Sequence, residues 1–143
     1  MQLRKKVLFF CTGNSCRSQM AEGWTRHLHS VCIEAYSAGI EPHGLNPFAV
    51  KVMAEAGVDI SHQSSKHIYD LNVIFDYTVI VCTHAIDSRT LFPGSATVTF
   101  VSFDDPPVMV AACETKEEKL NYYRHLRDQI KDFITKFPAT LEK

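Results

Sequence analysis

The segment VLFFCTGNSCRSQM, residues 7–20, decides the fold of this chain. An apolar, β-prone run ends at Cys11, and a helical pattern begins just after Arg17. This order predicts a strand, a tight loop and a helix whose first turn faces back toward the end of the strand. The backbone N–H groups of the loop would then surround one small volume, which is a ready-made binding site for an oxyanion.

The composition of this loop, residues 11–17, supports the same interpretation. Gly13 and Asn14 both tolerate positive φ, which a concave loop requires. Arg17 adds a planar fork of donors that fits a tetrahedral oxyanion. The predicted oxyanion-binding residues are Thr12, Gly13, Asn14, Ser15, Cys16, Arg17 and Ser18.

Cys11 is the predicted nucleophile. At the floor of the loop, the amides, the helix dipole and the guanidinium all favour thiolate over thiol, which increases reactivity at neutral pH. A thiolate beneath a bound oxyanion is placed for in-line attack on its central atom. The Cys-x5-Arg spacing is weak evidence alone, but the strand, Gly-Asn, the serine after Arg17 and the helix all agree with it.

Four stretches of the sequence resemble a known family. CTGNSCRSQMAEGW, SAGIEPHGLNP, VDIS and FDDPP are similar to the arsenate reductases built on the low-molecular-weight protein tyrosine phosphatase fold. The likeness runs from Val7 to about Phe137. It implies an α/β domain with a central parallel sheet and a shared Cys-x5-Arg-Ser anion site.

Length and composition indicate one ordinary globular domain over residues 1–143, with 45% hydrophobic and 22% charged residues. A net charge of −1 argues against a general nucleic-acid binder. No apolar run approaches the roughly 18 residues that span a bilayer, so we expect no membrane segment and a cytoplasmic protein. The five cysteines form no Cys-x2-Cys pair, which favours free or redox-active thiols over a zinc site.

The hydrophobic pattern alternates strands with helices. Strands are predicted at residues 6–11, 33–38, 77–82 and 97–102, and helices at 18–31, 47–56, 85–91 and 115–137. This order predicts a four-stranded parallel sheet flanked by helices, a flavodoxin-like architecture. Cys11 would follow the first strand, where such sheets place their ligands.

The first two helices carry more detailed expectations. Glu22, His27 and His29 lie off the apolar stripe of the first helix, and the two histidines are expected in solvent. Before the second helix, Asn46 should cap its start. His43, in the preceding loop, either contacts substrate or is only a loop residue. The residues predicted to be buried along the first helix are Met20, Trp24, Leu28 and Val31.

Asp105 is the predicted general acid. Displacing an oxygen leaving group requires a proton donor on the far side of the central atom from the thiolate. An Asp-Pro pair alone predicts only a turn. The resemblance implies the acid role, because related enzymes carry their acid immediately before the proline of an Asp-Pro loop.

A reductase also needs a second thiol. The resemblance places Cys82 at the position of the first resolving cysteine, whereas the sequence alone also allows a small buried hydrophobic residue there. Thioredoxin-coupled reductases usually carry a further cysteine seven residues later, but this chain has Arg89. One alternative is that Cys113 replaces it. Otherwise thioredoxin or glutaredoxin reduces a Cys11–Cys82 disulfide directly, or glutathione resolves the adduct.

The resemblance implies no tightly bound cofactor but suggests a potassium site. Its ligands would be Asn14, Glu22, Ser37 and the loop at 64–66. Lys66 stands where the potassium-binding reductases have an aspartate. The ammonium group of its side chain would occupy the place of the potassium ion. We therefore expect no required metal.

Three functions remain open from the sequence. The first is reduction of arsenate to arsenite, with phosphate as a competitor. The second is a low-molecular-weight phosphatase, a phosphomonoesterase using the same Cys11, Arg17 and Asp105. Pro107 and Val108 argue against it, because those phosphatases usually follow Asp-Pro with an aromatic residue. The third is a non-catalytic module that binds oxyanions or senses thiols. Binding of a flavin is disfavoured by the cysteine and arginine of the loop.

Overall fold

The computed structural model describes residues 4–81, 97–103 and 109–141, with side chains to residue 137. The described strands are β1 (Lys5–Phe10), β2 (Ile33–Ala38), β3 (Tyr77–Ile80) and β4 (Thr97–Phe100). The described helices are α1 (Arg17–His29), α2 (Pro47–Glu55) and α3 (Lys116–Leu141), with a 3-10 turn at Ile68–Asp70.

The strands form one parallel sheet in the order β2-β1-β3-β4. Val7 of β1 lies opposite Ala35 on one side and Tyr77 on the other, so β1 is an inner strand. Its residues 7–10 are completely buried, as expected for a strand of a parallel sheet covered on both faces. The predicted α/β fold is therefore confirmed, and Cys11 follows directly from a central strand.

α3 packs its apolar face over the sheet. The ring of Phe137 lies 5.9 Å from that of Phe9 and 5.5 Å from that of Tyr77. Each such side chain contributes roughly 1.5–3 kcal/mol when fully buried. The predicted amphipathic helix is confirmed, and it continues beyond Phe137 to Leu141. The buried residues of its apolar face are Leu120, Tyr123, Leu126, Ile130, Ile134 and Phe137.

The predicted burial along α1 is correct only for its first half. Met20 and Trp24 are buried as predicted, but Leu28 is 39% and Val31 is 91% exposed. The helix ends at His29, so Val31 lies in the turn that leads to β2. The side chains of residues 17–25 are buried on every face, because loops and α3 enclose the start of this helix.

Two polar side chains off the apolar stripe of α1, Glu22 and His29, are covered by other segments, and the prediction that His29 is in solvent is wrong. The carboxylate of Glu22 is buried, where it accepts a hydrogen bond from Ser37 and pairs with Arg26 at 3.0 Å. These partners compensate for the loss of water around the charge. His29 is half-buried, and its Nε2 makes a 2.8 Å hydrogen bond with the carbonyl of Ile134 on α3. Both residues are buried by distant segments rather than by the periodicity of their own helix.

Candidate active site

α1 begins at Arg17, directly after the loop, with an N-terminus suited to an anion. Cys16 occupies the N-cap position and makes no side-chain cap hydrogen bond, and the first turn carries no acidic residue. The first N–H groups of a helix have no acceptor within the helix, and the helix dipole makes this end positive. The start of α1 therefore adds donors and positive potential to the loop.

The outer side of the loop is held by the segment after β2. The carbonyl of Thr12 accepts hydrogen bonds from the backbone N–H groups of Ile40 and Glu41, at 3.0 and 2.9 Å. The carbonyl of Gly13 accepts one from His43 at 2.9 Å. In a trans peptide the N–H points opposite to the C=O. Carbonyls turned toward residues 40–43 thus turn the next N–H groups into the loop.

Two further carbonyls of the loop are held in the same way. Asn14 O accepts from Nε2 of Gln19 at 3.0 Å, and Ser15 O accepts from the backbone N–H of Asn46 at 3.0 Å. Asn46 also caps α2, as predicted, by accepting from Phe48 and Ala49 with its side chain. One residue therefore fixes the loop and starts the neighbouring helix.

Glycines allow this close packing. A Cβ on Gly39 would lie 2.6 Å from the carbonyl oxygens of both Cys11 and Thr12, so no larger residue fits there. The prediction that Gly13 supplies positive φ is wrong, because only Asn14 in the loop has one, at 46°. A Cβ on Gly13 would lie 2.7 Å from Nδ1 of His43, so this exposed side chain would have to shift to admit a larger residue. The contact of His43 with substrate stays a prediction.

Cys11 and Ser18 meet at the floor of the loop. The Sγ of Cys11 lies 3.0 Å from the Oγ of Ser18, and both residues are buried. Nδ2 of Asn14 donates to the same Oγ at 2.9 Å. A hydroxyl beside the sulfur stabilises a negative charge there by hydrogen bonding.

Arg17 connects the loop to the end of β4. Its guanidinium is almost completely buried, and Nη1 donates to the carbonyl of Phe103 at 3.1 Å. Phe103 is the last described residue before the segment that contains Asp105. The structure thus brings Cys11 and Ser18 together and directs Arg17 to the end of β4, while the catalytic roles of all three stay predictions.

Two predicted catalytic residues, Cys82 and Asp105, lie outside the described residues, as does Arg89. Among the described cysteines, none forms a disulfide. Cys113 is half-buried and lines an open cavity of about 560 Å³ with Tyr122 and His125. Its redox role also stays a prediction.

The residues of the suggested potassium site do not fit a potassium ion. Oδ1 of Asn14 already accepts from Gln19 and from the backbone of Lys66, and Glu22 is satisfied by Ser37 and Arg26. Nζ of Lys66 donates to the carbonyl of Ser64 at 2.7 Å. Burial lowers the pKa of Lys66, and the nearby Glu22 opposes that shift. The donors of this chain occupy the oxygens that such a cation would need.

Two residues near the site, Gln19 and Gln63, were missed by the sequence analysis, which named position 65 only within the suggested potassium loop. Gln19 is completely buried and contacts Asn14, Gln63 contacts Gln19, and the Oγ of Ser65 donates to Gly13 O at 3.1 Å. The only available signal for Gln19 was its position directly after the Arg-Ser pair, in the first turn of the predicted helix. The contacts of residues 63 and 65 carry no local signal.

Comparison with known proteins identifies the family. Residues 6–143 match the model of the low molecular weight phosphotyrosine protein phosphatases. The chain belongs to this family. Within it, the chain is 47% identical to an arsenate reductase of Shouchella clausii, over 98% of this chain and 100% of that one. It is 44% identical to an arsenate reductase of Bacillus subtilis, over 95% and 96%.

Solved structures of this phosphatase family agree with that result. An arsenate reductase in a phosphate-binding state superposes with a TM-score of 0.80 at 29% identity, covering 96% of this chain and 98% of that one. The same type of enzyme in its reduced state gives 0.78 at 30% identity, with the same coverage. The expected resemblance is thus confirmed. In the described ranges, no helix is both long and apolar enough to cross a membrane.

Proposed function

We propose that this protein reduces arsenate to arsenite with Cys11 as the nucleophile. The observation that supports this proposal most directly is the position of the Cys11 Sγ. It is buried 3.0 Å from the Oγ of Ser18, at the floor of a loop whose carbonyls are held outward. Identity of 40–47% to arsenate reductases over nearly the full length supports arsenate as the substrate.

The first half of the proposed reaction forms a covalent adduct between the Cys11 sulfur and arsenate. Arsenate binds to the N–H groups of residues 12–17 and to the Arg17 guanidinium. The Cys11 thiolate attacks arsenic, so that an S–As bond forms and an As–O bond breaks. Asp105 donates a proton to the departing oxygen, which leaves as water.

The second half transfers two electrons. The thiolate of Cys82 attacks Sγ of Cys11, an S–S bond forms, and the electron pair of the S–As bond stays on arsenic. Arsenic is thereby reduced from the +5 to the +3 state, and arsenite leaves. Thioredoxin or glutaredoxin then reduces the disulfide, or glutathione resolves the adduct in its place. Such a cycle requires a compartment rich in reduced thiols, for which we propose the cytoplasm.

The family match keeps phosphatase activity as the second candidate. A phosphomonoesterase would use Cys11, Arg17 and Asp105 in the same first step, and water would then release phosphate. Both reactions share the oxyanion site. They differ in what removes the adduct from the sulfur.

The deciding experiment measures arsenate-dependent oxidation of NADPH. One assay contains thioredoxin and thioredoxin reductase, and the other contains glutathione, glutaredoxin and glutathione reductase. We expect arsenite to form in step with NADPH consumed, and phosphate to inhibit competitively. Hydrolysis of an aryl phosphate without arsenite from either assay would instead identify a phosphatase. A protein that binds phosphate and does neither reaction would be the non-catalytic module.

A further inference from the structure

A chain of hydrogen bonds, part-buried at Gln63 and buried from Gln19 onward, runs to the sulfur of Cys11. Nε2 of Gln63 donates to Oε1 of Gln19 at 2.8 Å. Nε2 of Gln19 donates to Oδ1 of Asn14 at 3.1 Å, and Nδ2 of Asn14 donates to Oγ of Ser18 at 2.9 Å. The Oγ of Ser18 lies 3.0 Å from the sulfur. We call Gln63, Gln19, Asn14 and Ser18 the amide network.

A backbone group fixes the orientation of Asn14 within this network. The N–H of Lys66 lies 2.9 Å from Oδ1 of Asn14, and a backbone N–H can only donate. Oδ1 must therefore face Lys66, and the Nδ2 of Asn14 must face Ser18. The Oγ of Ser18 accepts that bond, and a Cys11 thiolate can only accept, so the Ser18 hydrogen is directed to the sulfur when Cys11 is ionised. A hydroxyl that donates to the sulfur favours the thiolate.

Gln19 is fixed by the same logic. Its Nε2 lies 3.0 Å from the carbonyl oxygens of both Asn14 and Ser64, which can only accept. The remaining Oε1 must then face a donor, and Gln63 supplies it. Nε2 of Gln63 also donates to the backbone carbonyl of Gln19 at 3.0 Å. Each amide of the network thus has a single orientation that satisfies its neighbours.

Gln19 holds the one loop residue whose backbone is left-handed. Asn14 has a φ of 46°, a conformation that asparagine adopts more readily than most residues with a Cβ. Gln19 binds both its backbone carbonyl and its side-chain oxygen. Loss of these bonds would allow the Asn14 side chain to turn away from Ser18.

We propose that Gln19 is a positioning residue that keeps Asn14 oriented so that the Ser18 hydroxyl donates to the Cys11 thiolate. The proposal deepens the proposed function, because that function requires a thiolate at Cys11 at neutral pH. Gln63 supports Gln19 from the far end of the network. Neither glutamine touches the reacting atoms, so both act through Asn14.

The variant Gln19→Met tests this, because methionine has nearly the same length and neither donates nor accepts strongly. We expect the pH midpoint of Cys11 alkylation by iodoacetamide to rise by about half a unit to one unit, which slows the reaction roughly 3–10-fold below the midpoint. Peptide mass spectrometry separates Cys11 from the other four cysteines. The charged groups beside the loop, Arg17, Lys66 and Glu22, are unchanged in the variant.

Two controls separate positioning from a general loss of stability. Thr25→Val removes another buried hydrogen bond of α1, from Oγ1 to the carbonyl of Ala21 at 2.7 Å, outside the network. It should lower the melting temperature and leave the midpoint in place. In a Ser18→Ala background, Gln19→Met should cause no further shift, because the network acts through Ser18.

An unchanged midpoint in folded Gln19→Met would overturn the proposal. If that variant does not fold, Gln63→Met decides the question. We expect a smaller shift of the midpoint in the same direction, and an unchanged midpoint would contradict the proposal. The measurement needs neither arsenate nor a reductant. A protein that fails to reduce arsenate but shows the shift would therefore disprove the proposed function and leave this inference standing.

Discussion

Arg17→Lys is expected to lower kcat/KM for arsenate by about 10²–10³-fold, the usual cost of losing one well-placed oxyanion donor. Lysine keeps the charge but loses the planar fork that binds two oxygens at once. It also loses the geometry with which the buried guanidinium donates to the carbonyl of Phe103. Steady-state kinetics with arsenate and calorimetric titration with phosphate both measure the effect.

A surface arginine provides the matched control. Arg4 is exposed and pairs with Glu34 at 3.2 Å, far from the loop, so Arg4→Lys should retain the kinetics of the wild type. A folded Arg17→Lys with unchanged affinity for phosphate would contradict the placement of the oxyanion at the loop.

Cys82→Ser is expected to stop repeated turnover of arsenate while hydrolysis of an aryl phosphate continues. The serine hydroxyl cannot form a disulfide with Cys11, so the two electrons cannot leave the protein sulfurs by this route. Arsenite release in the thioredoxin-coupled assay measures the first activity, and release of the aryl alcohol measures the second.

Serine replacements at other cysteines make the result specific. Cys32 is exposed at the start of β2, and Cys32→Ser should retain both activities. Retained arsenate reduction in Cys82→Ser would contradict the assigned role. If Cys82→Ser retains arsenate reduction and Cys113→Ser loses it, Cys113 is the resolving thiol instead.

The fold was predictable because its main signals are local. Strand β1 is a continuous apolar run, as parallel strands require, and Asn46 followed by a proline marks the start of α2 through its own cap. Gly57, with a φ of 85°, marks the end of α2. Each of these signals depends only on residues a few positions apart, and the folded chain shows the structure that each one predicts.

The errors of the sequence analysis have tertiary causes. Glu22 lies off the apolar stripe of α1, yet it is buried, because Ser37 of β2 meets it across 15 positions. His29 was expected in solvent, but α3 covers it. Periodicity shows which face of a helix is apolar, yet it does not show which polar side chain a distant loop will enclose.

The candidate site likewise combines residues that have a local sequence signal with residues that have none. Cys11, Arg17 and Ser18 are recognisable because they lie within one motif. The groups that hold the loop in shape, in residues 39–46 and 63–66, lie some 25 to 50 positions away and have no periodic signature. Only the folded chain shows that they turn the carbonyls of the loop outward.

A pH titration of the alkylation of Cys11 tests the central claim, a thiolate at the floor of an oxyanion-binding loop, most directly. We expect half-maximal reactivity well below the pH of about 8.5 at which an ordinary cysteine ionises, and slower alkylation when phosphate or arsenate is added. Reactivity that rises only near that ordinary value, and that neither oxyanion changes, would contradict the account.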